Sequence, residues 1–137
     1  MRKLLTMAAC FVASLILILT YFQPIFYGYG NARELYLYEN SSNALIVSAD
    51  YNGRFNRADV KGESFTVDKE NFDVFAFFAR FGGKIKFTES VDGNISYYGY
   101  SPKIKYRCSL NGYVINLHVC VRKTDVKIGS PIIFGSF

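Results

Sequence analysis

The residue whose chemistry is most distinctive is His118, the only histidine of the chain. His118 lies in a segment with a strand-like pattern, beside Asn116 and Arg122. To act as a general base, it would need a carboxylate or a nucleophile to converge on it. No nucleophile elbow, phosphate-binding loop or metal-binding helix motif occurs among the 137 residues. We therefore expect a solvated His118, no catalytic residue, no cofactor and no enzyme activity, unless a partner or a second copy supplies the missing groups.

Two cysteines flank a predicted hairpin, because Asn111-Gly112 is a strong two-residue turn signal. A loop at these positions sets Cys108 opposite Ile115 and Cys120 opposite Lys103. The two thiols then lie on opposite faces of a sheet and cannot reach the Cα separation of about 4.4 to 6.8 Å that a disulfide requires. We predict two small, buried or half-buried free thiols and, because no ligand spacing is present, no metal site.

Basic side chains offer a different chemistry, the attraction of anions. Residues 33–83 carry a net charge of −2, whereas residues 84–137 carry +5. Basic residues of the second half alternate with apolar positions, so we expect them to share the solvent face of a sheet with tyrosines. The basic residues are Lys84, Lys86, Lys105, Arg107, Arg122 and Lys127, and the candidate aromatic contacts are Tyr98, Tyr100, Phe77 and Phe81. This pattern indicates either a surface for an anionic polymer or lipid headgroup, or a strand face that lysines keep soluble.

The N-terminus predicts a membrane segment. Arg2 and Lys3 precede an uncharged run of 19 residues, 4–22, which reaches roughly 28 Å as a helix and matches a bilayer core of about 30 Å. Basic residues before the run place the N-terminus in the cytoplasm and the rest of the chain outside. We expect residues 1–30 to be a single-pass anchor or uncleaved signal of the cell membrane, and residues 31–137 to form an extracytoplasmic domain. Cleavage of the signal would make that domain a secreted protein.

The exported part is long enough for one core. Strand patterns cover residues 34–38, 44–49, 65–67, 84–88, 95–100, 104–110, 115–122 and 126–129. Asp92-Gly93 is predicted to form the turn between the strands 84–88 and 95–100. Between them, Asp68 is predicted to cap a helix that carries Glu70 in its first turn and ends at Gly82-Gly83. The sequence therefore predicts an α+β domain of two layers, with one helix packed on an antiparallel sheet.

Apolar residues surround most of this predicted helix, which is more than one sheet face needs. Either the N-terminal hairpin covers its other side, or the helix also meets a partner or the membrane surface. The Phe-rich helix and the apolar terminus 132–137 also leave open a structural protein that self-associates.

Three segments of the second half stand out together. They are Tyr100-Ser101-Pro102-Lys103-Ile104, then Asn111-Gly112 with Ile115-Asn116-Leu117-His118, and finally Ile128-Gly129-Ser130-Pro131-Ile132-Ile133. This succession resembles the YwmB-like family of Firmicutes, whose fold is similar to that of the TATA-box-binding protein, over about residues 60–137. The better-known members contain more than one such half, whereas this chain has room for one, so that two copies can pair.

The resemblance implies a fold and an envelope location but no catalytic residue. It marks Asn116 as a polar brace of the hairpin and Gly129, Ser130 and Pro131 as a turn that folds the terminus back on the sheet. We thus predict a non-enzymatic binding or interaction module of the cell envelope, held in the membrane through residues 4–22. Its expected partners are an envelope polyanion, an anionic lipid, a protein or a second copy, and export argues against nucleic acid.

Overall fold

The computed structural model describes residues 1–21, 30–37, 45–48 and 59–134. These residues form two helices and nine strands. In chain order they are α1 (Arg2–Tyr21), β1 (Asn31–Leu37), β2 (Leu45–Ser48), β3 (Val60–Asp68), α2 (Val74–Arg80), β4 (Lys84–Val91), β5 (Asn94–Tyr100), β6 (Cys108–Leu110), β7 (Tyr113–Ile115), β8 (Leu117–Val121) and β9 (Asp125–Ser130). Of the helices in this described part, none has both the length and the apolar character needed to cross a membrane.

Seven strands form one antiparallel sheet in the order β2-β1-β3-β9-β8-β5-β4, and β6 and β7 form a separate hairpin. The predicted α+β class with a large antiparallel sheet is confirmed. The first hairpin does not cover α2, because β1 pairs with β3 and so extends the sheet at its edge. Phe75 of α2 remains 66% exposed. The expectation that this hairpin buries the outer side of the helix is therefore wrong.

Two tight turns have the predicted geometry. Asp92 and Gly93 have φ angles of 51° and 81°, and Asn111 and Gly112 have φ angles of 51° and 78°. Two consecutive positive φ angles suit the twist of a two-residue hairpin, and Asn, Asp and Gly tolerate them best. Each turn joins strands whose last and first residues pair, Val91 with Asn94 and Leu110 with Tyr113.

Helix α2 begins later than the sequence predicts. Asp73, not Asp68, is its N-cap, and the Asp73 carboxylate accepts hydrogen bonds from the backbone N–H of Phe75 at 2.8 Å and of Ala76 at 3.0 Å. Asp68 instead ends β3, where it pairs with Asp125 of β9. The residues up to Asp68 therefore belong to the sheet, because β9 supplies hydrogen-bond partners for their backbone. The predicted stop is confirmed, since Gly82 has a φ angle of 63° and Gly83 donates to the Phe78 carbonyl.

The predicted continuous strand 115–122 is broken at Asn116. The residues before the break, in β7, pair with β6, so Cys108 faces Ile115 as predicted. The residues after it, in β8, pair with β5 and β9 of the large sheet. Cys120 consequently faces Ser96 and Lys127, and the predicted pairing of Cys120 with Lys103 is wrong.

The large sheet is covered on both faces. We call the side on which α2 packs the helix face, and its buried side chains include Phe65, Leu117, Val119, Val126 and Ile128, packed with Phe77 and Phe78 of α2. We call the opposite side the tail face, because residues 131–134 turn back across it. The β6–β7 hairpin also packs on the tail face, where Tyr113 stacks on Phe87 with ring centroids 5.6 Å apart.

The strand pairs define two ends of the sheet. We call the end at which β1 begins the near end. The residue pairs there are Asn31 with Thr66, Asp68 with Asp125, Val121 with Val126, and Val91 with Asn94. At the far end the pairs are Leu37 with Val60, Glu63 with Ser130, Gly99 with Leu117, and Lys84 with Tyr100. Helix α2 runs from the near end to the far end, because it follows β3 and precedes β4.

Candidate functional site

The far end brings together the last residues of α2, the first residues of β4 and the loop 101–107 after β5. Lys84 and Tyr100 are opposite one another in the β4–β5 pair. A Cβ atom on Gly82 would lie 3.5 Å from Cε of Lys103, so the Lys103 side chain lies over the end of the helix. The loop and the helix end therefore share one surface.

A buried amide holds the loop in place. The Asn116 side chain accepts a hydrogen bond from Ser101 N at 2.7 Å and donates to the carbonyls of Ser101 at 2.6 Å and Ile104 at 2.9 Å. The Ser101 hydroxyl in turn donates to the Phe81 carbonyl at 2.5 Å. Because Asn116 is fully buried, these bonds are shielded from competing water. The basic loop is thus tied to α2 through side chains in the interior.

Five exposed basic residues surround this surface: Arg80, Lys84, Lys103, Lys105 and Arg107. The two segments that carry them, 74–88 and 93–124, contain no Asp or Glu. Among the residues that the structure describes, the other exposed charges at this end are Asp59 and Lys61, which are near the start of β3, three strands away from β5. Such a concentration of one sign creates a positive potential that attracts anions.

Only part of the predicted basic set gathers here. Lys84, Lys105 and Arg107 do, and Lys86 is exposed farther along β4. Lys105 and Arg107 lie in the loop rather than on a strand. Arg80 and Lys103 were not predicted. The absence of Asp and Glu from the segments 74–88 and 93–124 is the sequence signal by which they could have been found.

The remaining two predicted basic residues are elsewhere and paired with carboxylates. Lys127 lies 2.9 Å from Glu34 on the tail face. Arg122 holds Asp125 through two hydrogen bonds of 2.6 and 2.8 Å at the near end. The expectation of one solvent-facing basic sheet face is therefore wrong, because the C-terminal segment and the β6–β7 hairpin occupy that face.

Of the four predicted aromatic contacts, some are buried in the interior and others are partly exposed. Tyr98 is buried, with its ring stacked on Phe87 at 4.6 Å, and Phe77 belongs to the core of the helix face. Phe81 is half-buried against the same core. Tyr100 is partly exposed and lies opposite a basic residue of the far end, Lys84. Tyr98 and Phe77 are thus wrong as surface contacts because each fills interior space.

His118 is buried, not solvated, with 1% of its surface exposed. Its Nδ1 accepts a hydrogen bond from Ile133 N at 3.1 Å, and its ring stacks on Tyr98 with centroids 4.2 Å apart. Burial lowers the pKa of His118 to about 3, so the imidazole is neutral at pH 7. The prediction of a solvated histidine fails because the C-terminal segment closes over the strand.

A polar network beside His118 also went unpredicted. Glu34 accepts hydrogen bonds from Ser64 at 2.9 Å and from Lys127, and Tyr36 accepts one from Phe134 N at 3.1 Å. Burial acts to raise the pKa of Glu34, but the bonds from Lys127 and Ser64 outweigh it and leave that pKa below its usual value. Burial raises the pKa of Tyr36. The network joins β1, β3 and β9 to the C-terminal segment.

The structural signature predicted around Gly129, Ser130 and Pro131 lies at the start of that segment. The Ser130–Pro131 peptide bond is cis, and both residues are buried. A Cβ atom on Gly129 would lie 2.8 Å from Cγ1 of Ile133, closer than such atoms approach in folded proteins. Gly129 therefore leaves the room in which the terminus packs against the sheet.

Other candidate groups do not converge on a reacting centre. The thiols of Cys108 and Cys120 are free and lie on different sheets, and burial raises the pKa of Cys108. Within the described ranges, no three His, Cys, Asp or Glu side chains are grouped so as to hold a metal ion.

A shallow cleft of about 530 Å³ opens at the near end. Its lining residues are Asp68, Lys69, Glu70, Lys123 and Thr124. Both signs of charge are mixed along this lining, so the cleft selects neither anions nor cations. The far end, where all the described exposed charges except Asp59 are basic, is the better candidate site.

Comparison with protein-family models, with curated proteins and with solved structures finds none that matches this chain. The resemblance of residues 60–137 to the YwmB-like family stays a prediction from the sequence.

Proposed function

We propose that the chain is a non-enzymatic, extracytoplasmic binding domain whose far end engages an anionic ligand of the cell envelope. The observation that carries this proposal is the group of exposed basic side chains on a loop and helix end that contain no acidic residue. Hydrogen bonds of Asn116 and Ser101 hold the backbone of the loop in place. Binding then costs less conformational entropy, because the loop is already ordered.

A binding role fits the remaining polar groups better than a catalytic one. His118 is sealed beneath the C-terminal segment and its Nδ1 is engaged by Ile133 N. A general base must reach the proton that it abstracts, and His118 is shielded from any substrate in solution. The exposed polar groups of the far end carry positive charge, which suits electrostatic recognition of phosphate or carboxylate.

The membrane part of the proposal rests on the sequence. Residues 4–22 are uncharged and follow Arg2 and Lys3, the order expected of a segment that leaves its N-terminus in the cytoplasm. Protease treatment of intact cells, followed by detection of the C-terminal domain, tests this arrangement. We expect the domain to be digested, and its complete protection in intact cells would overturn the topology.

Binding of labelled teichoic acid to the full chain in discs of neutral phosphatidylcholine tests the ligand class. Lys103→Glu with Arg107→Glu should weaken binding about tenfold or more, because two cations of the site are reversed. The matched control is Lys69→Glu with Lys123→Glu, which makes the same change of net charge at the near end and should alter binding less than about threefold. Equal losses in both variants, or no binding by the unaltered chain, would contradict the proposal.

Self-association through α2 is a second candidate function. Phe75 is largely exposed, and its ring packs edge-on against Tyr97 at 6.2 Å, which leaves an apolar surface outside the core. Sedimentation of the full chain in detergent should show a concentration-dependent oligomer that Phe75→Lys disrupts. A single species across the concentration range, the same for both proteins, would remove this candidate.

A further inference from the structure

We infer that the open edge of the large sheet pairs with the same edge of a second copy of the chain, with the two β4 strands antiparallel and Thr88 at the two-fold axis. This inference goes beyond the proposed anion binding. It also differs from self-association through α2, because the contact is a strand edge and not a helix surface.

Strand β4 lies at one end of the strand order. In the part of the chain that the structure describes, it pairs with β5 alone. Its last four residues, 88–91, are all exposed, and Val91 has 64% of its surface in solvent. The edge of a sheet presents backbone N–H and C=O groups to which another strand can bind. Strand β4 is therefore placed to pair with a strand from outside the domain.

The turn at residues 92–93 determines which residues of β4 point outward. A two-residue hairpin is closed by a hydrogen-bonded pair, so the backbone groups of Val91 point toward β5. Because this direction alternates along an antiparallel strand, Glu89 also points toward β5. The N–H and C=O groups of Thr88 and Ser90 consequently point away from the sheet.

The charge of β4 changes sign along the strand. Its first half carries Lys84 and Lys86, whereas its second half carries Glu89 and is followed by Asp92, and all four are exposed. A hydrogen bond of 3.1 Å from Asn111 positions the Glu89 carboxylate. Two antiparallel copies therefore set the basic half of each strand beside the acidic half of the other, which stabilises a strand pair. The edge is self-complementary, as a two-fold interface requires.

The charges and a bulge together favour an axis at Thr88. With this centre, Glu89 of each copy lies opposite Phe87 of the other and one residue away from its Lys86. A centre at Glu89 would place two carboxylates against each other, and a centre nearer the turn would bring the acidic halves together. A centre at Phe87 would require Lys86 to pair, although the register shift between β4 and β5 makes Lys86 the extra residue of a bulge.

The first test compares two single cysteines in the full chain in detergent, with the exposed Cys10 changed by Cys10→Ser. Thr88→Cys places a thiol at the axis, where the Cα atoms of a hydrogen-bonded pair are about 5.5 Å apart and within disulfide range. Ser90→Cys is the matched control, because the two copies of residue 90 are four residues out of register, or roughly 14 Å along the strands. Mild oxidation should give at least about fivefold more reducible dimer from Thr88→Cys.

The second test reverses charges and measures dimerisation by sedimentation. Lys86→Glu and Glu89→Lys each place like charges across the axis, so either variant alone should have a dimer dissociation constant raised about fivefold. A mixture of the two variants restores both ion pairs and should form heterodimers in preference to either homodimer. Lys123→Glu makes the same change of net charge as Lys86→Glu away from this edge, and should shift the dissociation constant by less than about twofold.

Each outcome bears on a different statement. Equal cross-linking at residues 88 and 90, or none at residue 88, would overturn the edge dimer. A mixture that associates no better than its components would overturn the charge pairing. A dimer that Phe75→Lys disrupts, with no cross-link from Thr88→Cys, would assign association to α2 instead. Teichoic acid binding is tested on other variants, Lys103→Glu with Arg107→Glu, so failure of the edge dimer leaves the proposed anion binding standing.

Discussion

The two faces of the large sheet are both buried, but by different means. On the helix face, Phe65, Val119 and Ile128 pack with the rings of α2 in one hydrophobic cluster. On the tail face, His118 and Tyr36 accept hydrogen bonds from the backbone of residues 133 and 134, and aromatic rings stack in a row from Tyr113 to His118. One face depends on apolar packing, and the other depends on specific hydrogen bonds and ring contacts.

This difference explains why the two faces respond differently to solution conditions. Burial of apolar surface changes little with pH, whereas a buried imidazole must remain neutral to stay in place. The tail face, which contains the buried imidazole of His118, is therefore expected to be more sensitive to pH than the apolar core of the helix face.

The largest expected effect is on the helix face. Phe65→Ala removes a ring with 0% exposure and should lower the free energy of unfolding by about 3–5 kcal/mol. The matched control, Phe75→Ala, truncates an exposed ring of α2 and should cost about 1 kcal/mol or less. Urea unfolding followed by circular dichroism measures both, and similar losses would show that Phe65 is not in the core.

Next in size is the brace between the sheet and the basic loop. Asn116→Ala leaves three buried backbone groups without their partners and should cost roughly 2–4 kcal/mol. Ser109→Ala, on an exposed position of the adjacent hairpin, should change stability by about 0.5 kcal/mol or less. If the two variants unfold at the same urea concentration, Asn116 does not support the loop.

The third prediction concerns the pH dependence that the buried His118 confers on the tail face. The pKa of His118 is 6.5 when unfolded and about 3 when folded, so its neutral form stabilises the fold fully above pH 6.5 and this stability is lost as the pH falls toward 3. Between pH 7 and pH 5 the loss should be about 2 kcal/mol.

His118→Asn is the comparison for this pH effect, because its side-chain oxygen accepts a hydrogen bond and does not titrate. The difference in unfolding free energy between the two proteins isolates the histidine from the carboxylates. A difference that stays constant from pH 7 to pH 5 would contradict a buried, neutral His118.

The smallest effect concerns the outermost contact of the tail face. Phe134 packs edge-on against Tyr36 at 4.6 Å, and Phe134→Ala should cost about 1 kcal/mol. Opening of the terminus should also expose His118 and raise its pKa, which proton NMR of the single histidine detects. An unchanged pKa in this variant would show that the contact does not control closure of the tail face.

Local chemistry predicted the two turns and most strands, but not the loop 101–107 or the break at Asn116. Asp92-Gly93 and Asn111-Gly112 specify their hairpins within two residues, since the positive φ angles depend on those residues themselves. The start of α2 was predicted at the wrong aspartate because Asp68 and Asp73 are both suitable caps. Pairing of β3 with β9, which is distant in sequence, selected Asp73.

The candidate site was predicted only in part for a related reason. Alternation along a strand shows which residues share a face, but not what covers that face. His118 and Tyr98 were expected in solvent, and the C-terminal segment and the β6–β7 hairpin bury them. Lys103 and Arg80 were missed because they meet only where a loop passes the end of a helix.

The sequence by itself determined the α+β class, the two tight turns and the excess of positive charge after residue 84, since these depend on composition and on neighbouring residues. Only the tertiary structure decided that the tail face is closed and that the basic charge gathers at one end of the sheet. Both depend on contacts between segments far apart in the chain, and no local pattern specifies which of several polar faces such a segment will cover.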